Sequence, residues 1–161
     1  MTTSALKRRA KEARSWLTDS CFPLWAEHGL TPAGFFHEAL TLDHDEAARE
    51  VTRVRVQARQ TYVFAEAWRL GWKRDTAARL ANAGVAVLTG PALAPSGLPG
   101  KTLRYDGSSF ADASADLYDI AFVLYALGEA ARGPAPAPPT LAAASQILSA
   151  VDQHVRDRVH G

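Results

Sequence analysis

From Ala5 to Glu27 the apolar residues Leu6, Ala10, Ala13, Leu17, Cys21, Leu24 and Trp25 recur at helical spacing with basic residues between them, which predicts an amphipathic first helix. Gly29 and Pro32 end it, and the aromatic, half-alternating stretch from Gly34 to Leu42 reads as a small hairpin or extended loop closed by Asp43 to Asp45. Asp45 is placed to cap a second helix that runs to Gly71, a glycine of the kind that stops helices. A third helix runs from about Arg74 to Leu93, and Pro95 to Ser109 forms a second long loop. The fourth helix, about Ser114 to Ala131, is interrupted in its apolar run from Leu117 to Leu127 only by Asp119. Such a helix is expected to be buried all round. After the stiff joint from Gly133 to Pro139, a fifth helix carries the stripe Leu141, Ala144, Leu148, Val151, Val155 and Val159.

The order is thus amphipathic, buried, amphipathic, buried, amphipathic, with long loops after the first and third helices and short ones after the second and fourth. This rhythm predicts an all-α array of helical hairpins in which alternate helices line an inner layer, a ring or solenoid rather than a four-helix bundle. Composition agrees, since Ala and Leu number 31 and 17 while Val and Ile together number 12. With 161 residues there is room for one ordinary domain, and 18 basic against 17 acidic residues give no bias toward nucleic acid. The single cysteine, Cys21, excludes an internal disulfide and fits a reducing cytoplasm. Neither a signal-peptide core nor a run approaching ~18 apolar residues occurs, so no membrane partner is expected.

On the second helix Arg55, Arg59, Tyr62 and Glu66 follow one another at four, three and four residues, which places them on one narrow face. Val51, Val54, Ala58 and Ala65 flank this stripe on one side, and Val56, Val63 and Leu70 on the other, so an enclosed rather than a solvated position is expected. Two readings stand side by side. Glu66 and a neighbouring helix can satisfy the arginines as an internal ion-pair network. Alternatively, the guanidinium forks line a cavity and hold an anionic or hydroxylated ligand, with Tyr118 and Asp119 facing the same space. His37 and His44 lie near Glu38, Asp43, Asp45 and Glu46 without the spacing of a metal motif, and read as an exposed acidic turn before a helix. His28 falls at a helix end and Cys21 in the core. No nucleophile-elbow, P-loop or dinucleotide glycine pattern is present.

With the segments Phe22 to Gly29, Gly34 to Phe36, Arg53 to Phe64 and Asp116 to Leu124 in this order and at fitting separations, the chain resembles the N-acylglucosamine 2-epimerase family. The part around Gln57, Ala58 and Arg59 is the most specific. The resemblance covers nearly the whole chain and implies an (α/α)6 barrel that epimerises or isomerises sugars, including mannose-type aldose-ketose isomerases and cellobiose 2-epimerases, without metal or redox cofactor. It implies that residues 1–161 are one incomplete barrel domain of about five helices, the N-terminal portion of a ring of six hairpins. Arg59 matches the family's active-site arginine, and Tyr118 a residue of the next inner helix; Arg55, Tyr62 and Asp119 join them as substrate-binding candidates. Arg55 stands where many members have tryptophan, and Ile120 where histidine or glutamine is common. Arg55 thereby points to a sugar phosphate. The family's two catalytic histidines come from later repeats and have no counterpart here. The chain by itself is therefore expected to be an inactive fragment that aggregates or forms a homodimer covering the opening. A non-catalytic carbohydrate-binding or assembly module is the rival expectation; a glycoside hydrolase would require a carboxylate pair that does not stand out.

Overall fold

The computed structural model describes residues 3–43, 49–108, 110–157 and 159. Among these residues there are five helical rods and a small sheet. The first rod is α1 (Thr3–Trp16), a π-helical turn (Leu17–Cys21) and α2 (Phe22–His28), with helical backbone at both junctions. Sequence pattern does not show the π turn, yet its cause is local. Pro23 has no N–H to donate, and the Phe22 N–H reaches back to the Leu17 carbonyl. The Thr18 carbonyl left over accepts the Trp72 indole N–H at 3.0 Å, which ties this rod to the start of the next hairpin.

The second helix starts later than its pattern suggests. Val51–Arg53 is a strand, β1, and α3 runs from Val54 to Arg69, while Asp45, the expected cap, lies outside the described residues. The remaining elements are α4 (Arg74–Leu88), β2 (Thr102–Arg104), β3 (Phe110–Asp112), α5 (Leu117–Ala131) and α6 (Ala137–His154). The three strands form one antiparallel sheet in the order β1-β2-β3, with Val51 opposite Arg104 and Leu103 opposite Phe110. Each strand is three residues long, too short for alternation to show, and β1 pairs with β2 across some fifty residues, whereas β2 and β3 are joined by a short connection. Gly71 does stop its helix, with φ +80° and the Trp72 N–H bonded to the Ala67 carbonyl, the wider bond of a Schellman cap.

Two hydrophobic clusters hold the rods together. One joins α3, α4, α5 and α6 through Val54, Ala58, Leu88, Ile120, Val123, Leu127 and Ile147; the other joins α2, the Phe36 loop, α3 and α4 through Phe22, Phe36, Phe64, Trp72 and Leu80. α3 packs against both α4 and α5, and α5 in turn against α6, so α3 and α5 form an inner layer and α4 and α6 an outer one. Gly84 permits the closest approach of α4 to α3, because a Cβ there would stand 1.9 Å from the Thr61 hydroxyl oxygen.

Three burial expectations need correcting. None of α1 is buried, so Leu6, Ala10 and Ala13 stay exposed beyond the point where α2 meets α4. α5 is not buried all round, since Leu117, Tyr118, Ala121 and Tyr125 form one exposed face. On α6 the buried side holds Thr140, Ile147 and Ala150, while Leu141 and Leu148 point outward. Among the described residues no helix is long and apolar enough to cross a membrane.

Candidate functional site

Both inner helices begin at the sheet. β1 runs directly into α3, and a short extended segment leads from β3 to Asp116, whose side chain caps α5 by accepting the Tyr118 N–H at 2.8 Å. The first turns of α3 and α5 are thereby placed side by side, and the polar stripe of α3 faces the exposed side of α5.

Within this arrangement Arg59 donates from Nη2 to the Tyr118 hydroxyl at 2.9 Å, and its guanidinium lies 4.5 Å from the centre of the Phe122 ring. A guanidinium cannot accept, so the Tyr118 oxygen is the acceptor and its own proton is left for another partner. Four residues earlier, Arg55 donates from Nη1 to Asp119 Oδ1 at 3.2 Å and lies 5.8 Å from the Tyr118 ring centre. Asp119 is 2% exposed, and burial pushes its carboxyl above the ordinary range against the opposing pull of Arg55. Tyr62 meets Tyr125 at 5.0 Å between ring centres, and a hydrogen bond with Tyr125, followed by burial, raises its phenol. A groove of about 220 Å³ is lined by Tyr118, Ala121, Phe122 and Tyr125.

The structure therefore brings Arg55, Arg59, Tyr118 and Asp119 together, sets Tyr62 on the same helix face against Tyr125, and separates Glu66 from the two arginines before it in the stripe. Glu66 pairs with Arg69, which also reaches Glu129 on α5 at 3.4 Å. The stripe is not enclosed by the described residues: Arg59 is exposed, Tyr118 is 52% exposed, and Val56 and Val63 on its far side are only half-buried. The internal-network reading holds for Arg55 and not for Arg59. Arg55, whose departure from the family's pattern points to a sugar phosphate, faces a buried carboxylate on the neighbouring helix.

Two supports of the site escaped sequence reasoning. Glu38, grouped by sequence with an exposed acidic turn, has a side chain only 5% exposed; its carboxylate accepts the Arg53 main-chain N–H at 2.9 Å and pairs with the Arg53 guanidinium. His37 beside it is buried and lies 5.6 Å from the Tyr105 ring; His44 lies outside the described residues. Gln57 is fully buried and clasps the Phe36 main chain, accepting the Phe36 N–H at 2.8 Å and donating to the Phe36 carbonyl at 2.7 Å and to Thr52 Oγ1 at 2.8 Å. In the sequence Gln57 stood out only as part of the segment with Ala58 and Arg59 that carries the resemblance most specifically, with no role of its own. Cys21 is half-buried, and burial raises its thiol.

Residues 34–161 match the family model described as N-acylglucosamine 2-epimerase. A mannose-6-phosphate isomerase of Rhizobium meliloti (strain 1021) is 37% identical over 125 residues, which is 77% of this chain and 32% of that protein. The chain thus spans about a third of the length of the curated relative it matches. Among solved structures, the cellobiose 2-epimerase of Spirochaeta thermophila DSM 6192 superposes with a TM-score of 0.85 at 21% identity over 99% of this chain and 39% of that one. The cellobiose 2-epimerase of Bacillus thermoamylovorans B4167 gives 0.83 at 21% identity, over 95% and 39%. A sugar epimerase from a ruminal bacterium gives 0.81 at 20% identity, over 92% and 38%. These likenesses establish the fold as the N-terminal portion of an (α/α)6 barrel.

Proposed function

Since the chain belongs to the N-acylglucosamine 2-epimerase family, we propose that the open side of α3 and α5 is one wall of a sugar cavity, in a ring that moves configuration or a carbonyl at C2 of an aldose. The observation that carries this reading is Arg59, an exposed guanidinium with no ion pair among the described residues, aimed by Tyr118 and backed by Phe122. Removing the proton at C2 places charge on the neighbouring carbonyl oxygen, and a fixed cationic donor stabilises that charge as it develops. Arg59 is such a donor; because it stays protonated it is not the base. The base comes from outside these helices, as do the histidines of the family's later repeats. Tyr118 and Tyr62 contact the sugar hydroxyls, and residues 1–161 act as one incomplete barrel domain in the cytoplasm, without metal or redox cofactor.

Mannose and its 6-phosphate are the substrates to test. Restored to a complete ring, Arg59→Ala should lower turnover by ~10²-fold or more with unchanged circular dichroism, as for loss of an oxyanion donor. Arg59→Lys keeps the charge without the fork and should fall between the two. Wild-type turnover by Arg59→Ala would refute the assignment. Mannose binding by the 161-residue chain without turnover is expected. Isomerisation by that chain would place the base among these residues and reject the view of it as a binding module.

A further inference from the structure

Around the first turns of α3 and α5 three cations are matched to carboxylates. Arg53 pairs with Glu38, Lys101 lies 4.0 Å from Asp116, and Arg55 lies 3.2 Å from Asp119, whereas Arg59, one turn further along α3, pairs with no acid among the described residues. Asp119 is also the most buried of these acids. It projects from the side of α5 that carries Ile120 and Val123 into the core, while Tyr118 on the opposite side is exposed. Its carboxylate therefore meets the cavity only through Arg55, whose side chain is 31% exposed.

We propose that Asp119 is a positioning residue that withholds Arg55 from anionic ligands, so that a charged sugar entering the cavity meets one available guanidinium, Arg59, rather than two. Resting on the sugar-cavity reading, this assigns the site's charge selectivity to a residue that does not touch the ligand. Arg55 and Arg59 lie one helical turn apart on the same face, close enough for one phosphate to bridge both if Arg55 were released. The pair with Asp119 keeps Arg55 turned across the Tyr118 ring instead.

The test is a titration of the 161-residue chain with inorganic phosphate, followed through the arginine Nε–H resonances by nuclear magnetic resonance. In the wild type, phosphate should move the Arg59 signal and leave that of Arg55 in place; a moving Arg55 signal overturns the proposal without any variant. Asp119→Asn keeps the shape and removes the charge, and should bind phosphate on the order of tenfold more tightly, the scale of one added charge-assisted contact. That gain should vanish in Asp119→Asn combined with Arg55→Met. An unchanged phosphate affinity in Asp119→Asn, or a gain that survives loss of Arg55, overturns the proposal. A parallel titration with mannose separates the two readings. If Asp119 only supported the fold, its replacement would weaken both ligands, whereas a charge filter raises phosphate affinity relative to mannose. Absence of mannose binding with the phosphate pattern intact would count against the sugar cavity and leave the role of Asp119 standing.

Discussion

Replacing Gln57 tests whether a single buried amide holds the loop in front of α3. Its side chain makes three hydrogen bonds, two of them to the main chain of Phe36, and both residues are fully buried. In Gln57→Ala the Phe36 N–H loses its acceptor, at about 1–3 kcal/mol for an unsatisfied buried donor. The Phe36 carbonyl fares better, since Thr52 Oγ1 also donates to it at 3.4 Å. Truncation beyond Cβ adds a cavity, and the total comes to about 3–5 kcal/mol, a large share of the ~5–15 kcal/mol of an ordinary domain. Gln57→Met isolates the polar part, because it keeps the volume and removes the hydrogen bonds, and should cost about 2–3 kcal/mol. The assay is urea denaturation of the chain at constant m-value, with hydrogen exchange at the Phe36 amide as a local readout. If Gln57→Met lies within about 0.5 kcal/mol of wild type and the Phe36 amide remains protected, the clasp does not hold the loop and the reasoning fails.

Three further outcomes are expected. Gly84→Ala forces a Cβ onto the Thr61 hydroxyl and within 3.2 Å of the Phe36 ring; it should destabilise by about 1–3 kcal/mol in the same urea assay, and a neutral result would show that α3 and α4 separate freely. Burial raises the Asp119 carboxyl, so the folded chain binds this proton more tightly than the unfolded chain, and the group's contribution to stability is fully present below the ordinary carboxylate range and falls as pH rises through that range to the raised value. Asp106 and Asp112, held below that range by Ser108 and Ser114, have the opposite slope, so the difference between wild type and Asp119→Asn across acid pH isolates the effect, and a difference independent of pH would refute it. The exposed face of Leu117, Tyr118, Ala121 and Tyr125 should drive self-association of the chain; Tyr125→Lys should lower the mass seen by sedimentation, and an unchanged mass would place the contact elsewhere.

Helical periodicity determined the number and order of the rods, the inner place of α3 and α5, and the common face of Arg55, Arg59 and Tyr62, because a 3.6-residue repeat is a property of neighbours along the chain. The Gly71 stop was legible for the same reason, a left-handed cap being set by one residue type. Tertiary contacts decided the rest. β1 replaces the first turns expected of the second helix because Val51 and Arg53 find partners in β2 some fifty residues away, and no local pattern encodes such a pairing. The same apolar composition that made α5 read as buried cannot say which of its sides has a neighbour, and the chain covers Ile120 and Val123 while leaving Tyr118 and Tyr125 open. Charge along the sequence made Arg55 and Arg59 alike. The packing of α5 beside α3 separates their surroundings, since it brings a buried carboxylate to one guanidinium and a tyrosine hydroxyl to the other.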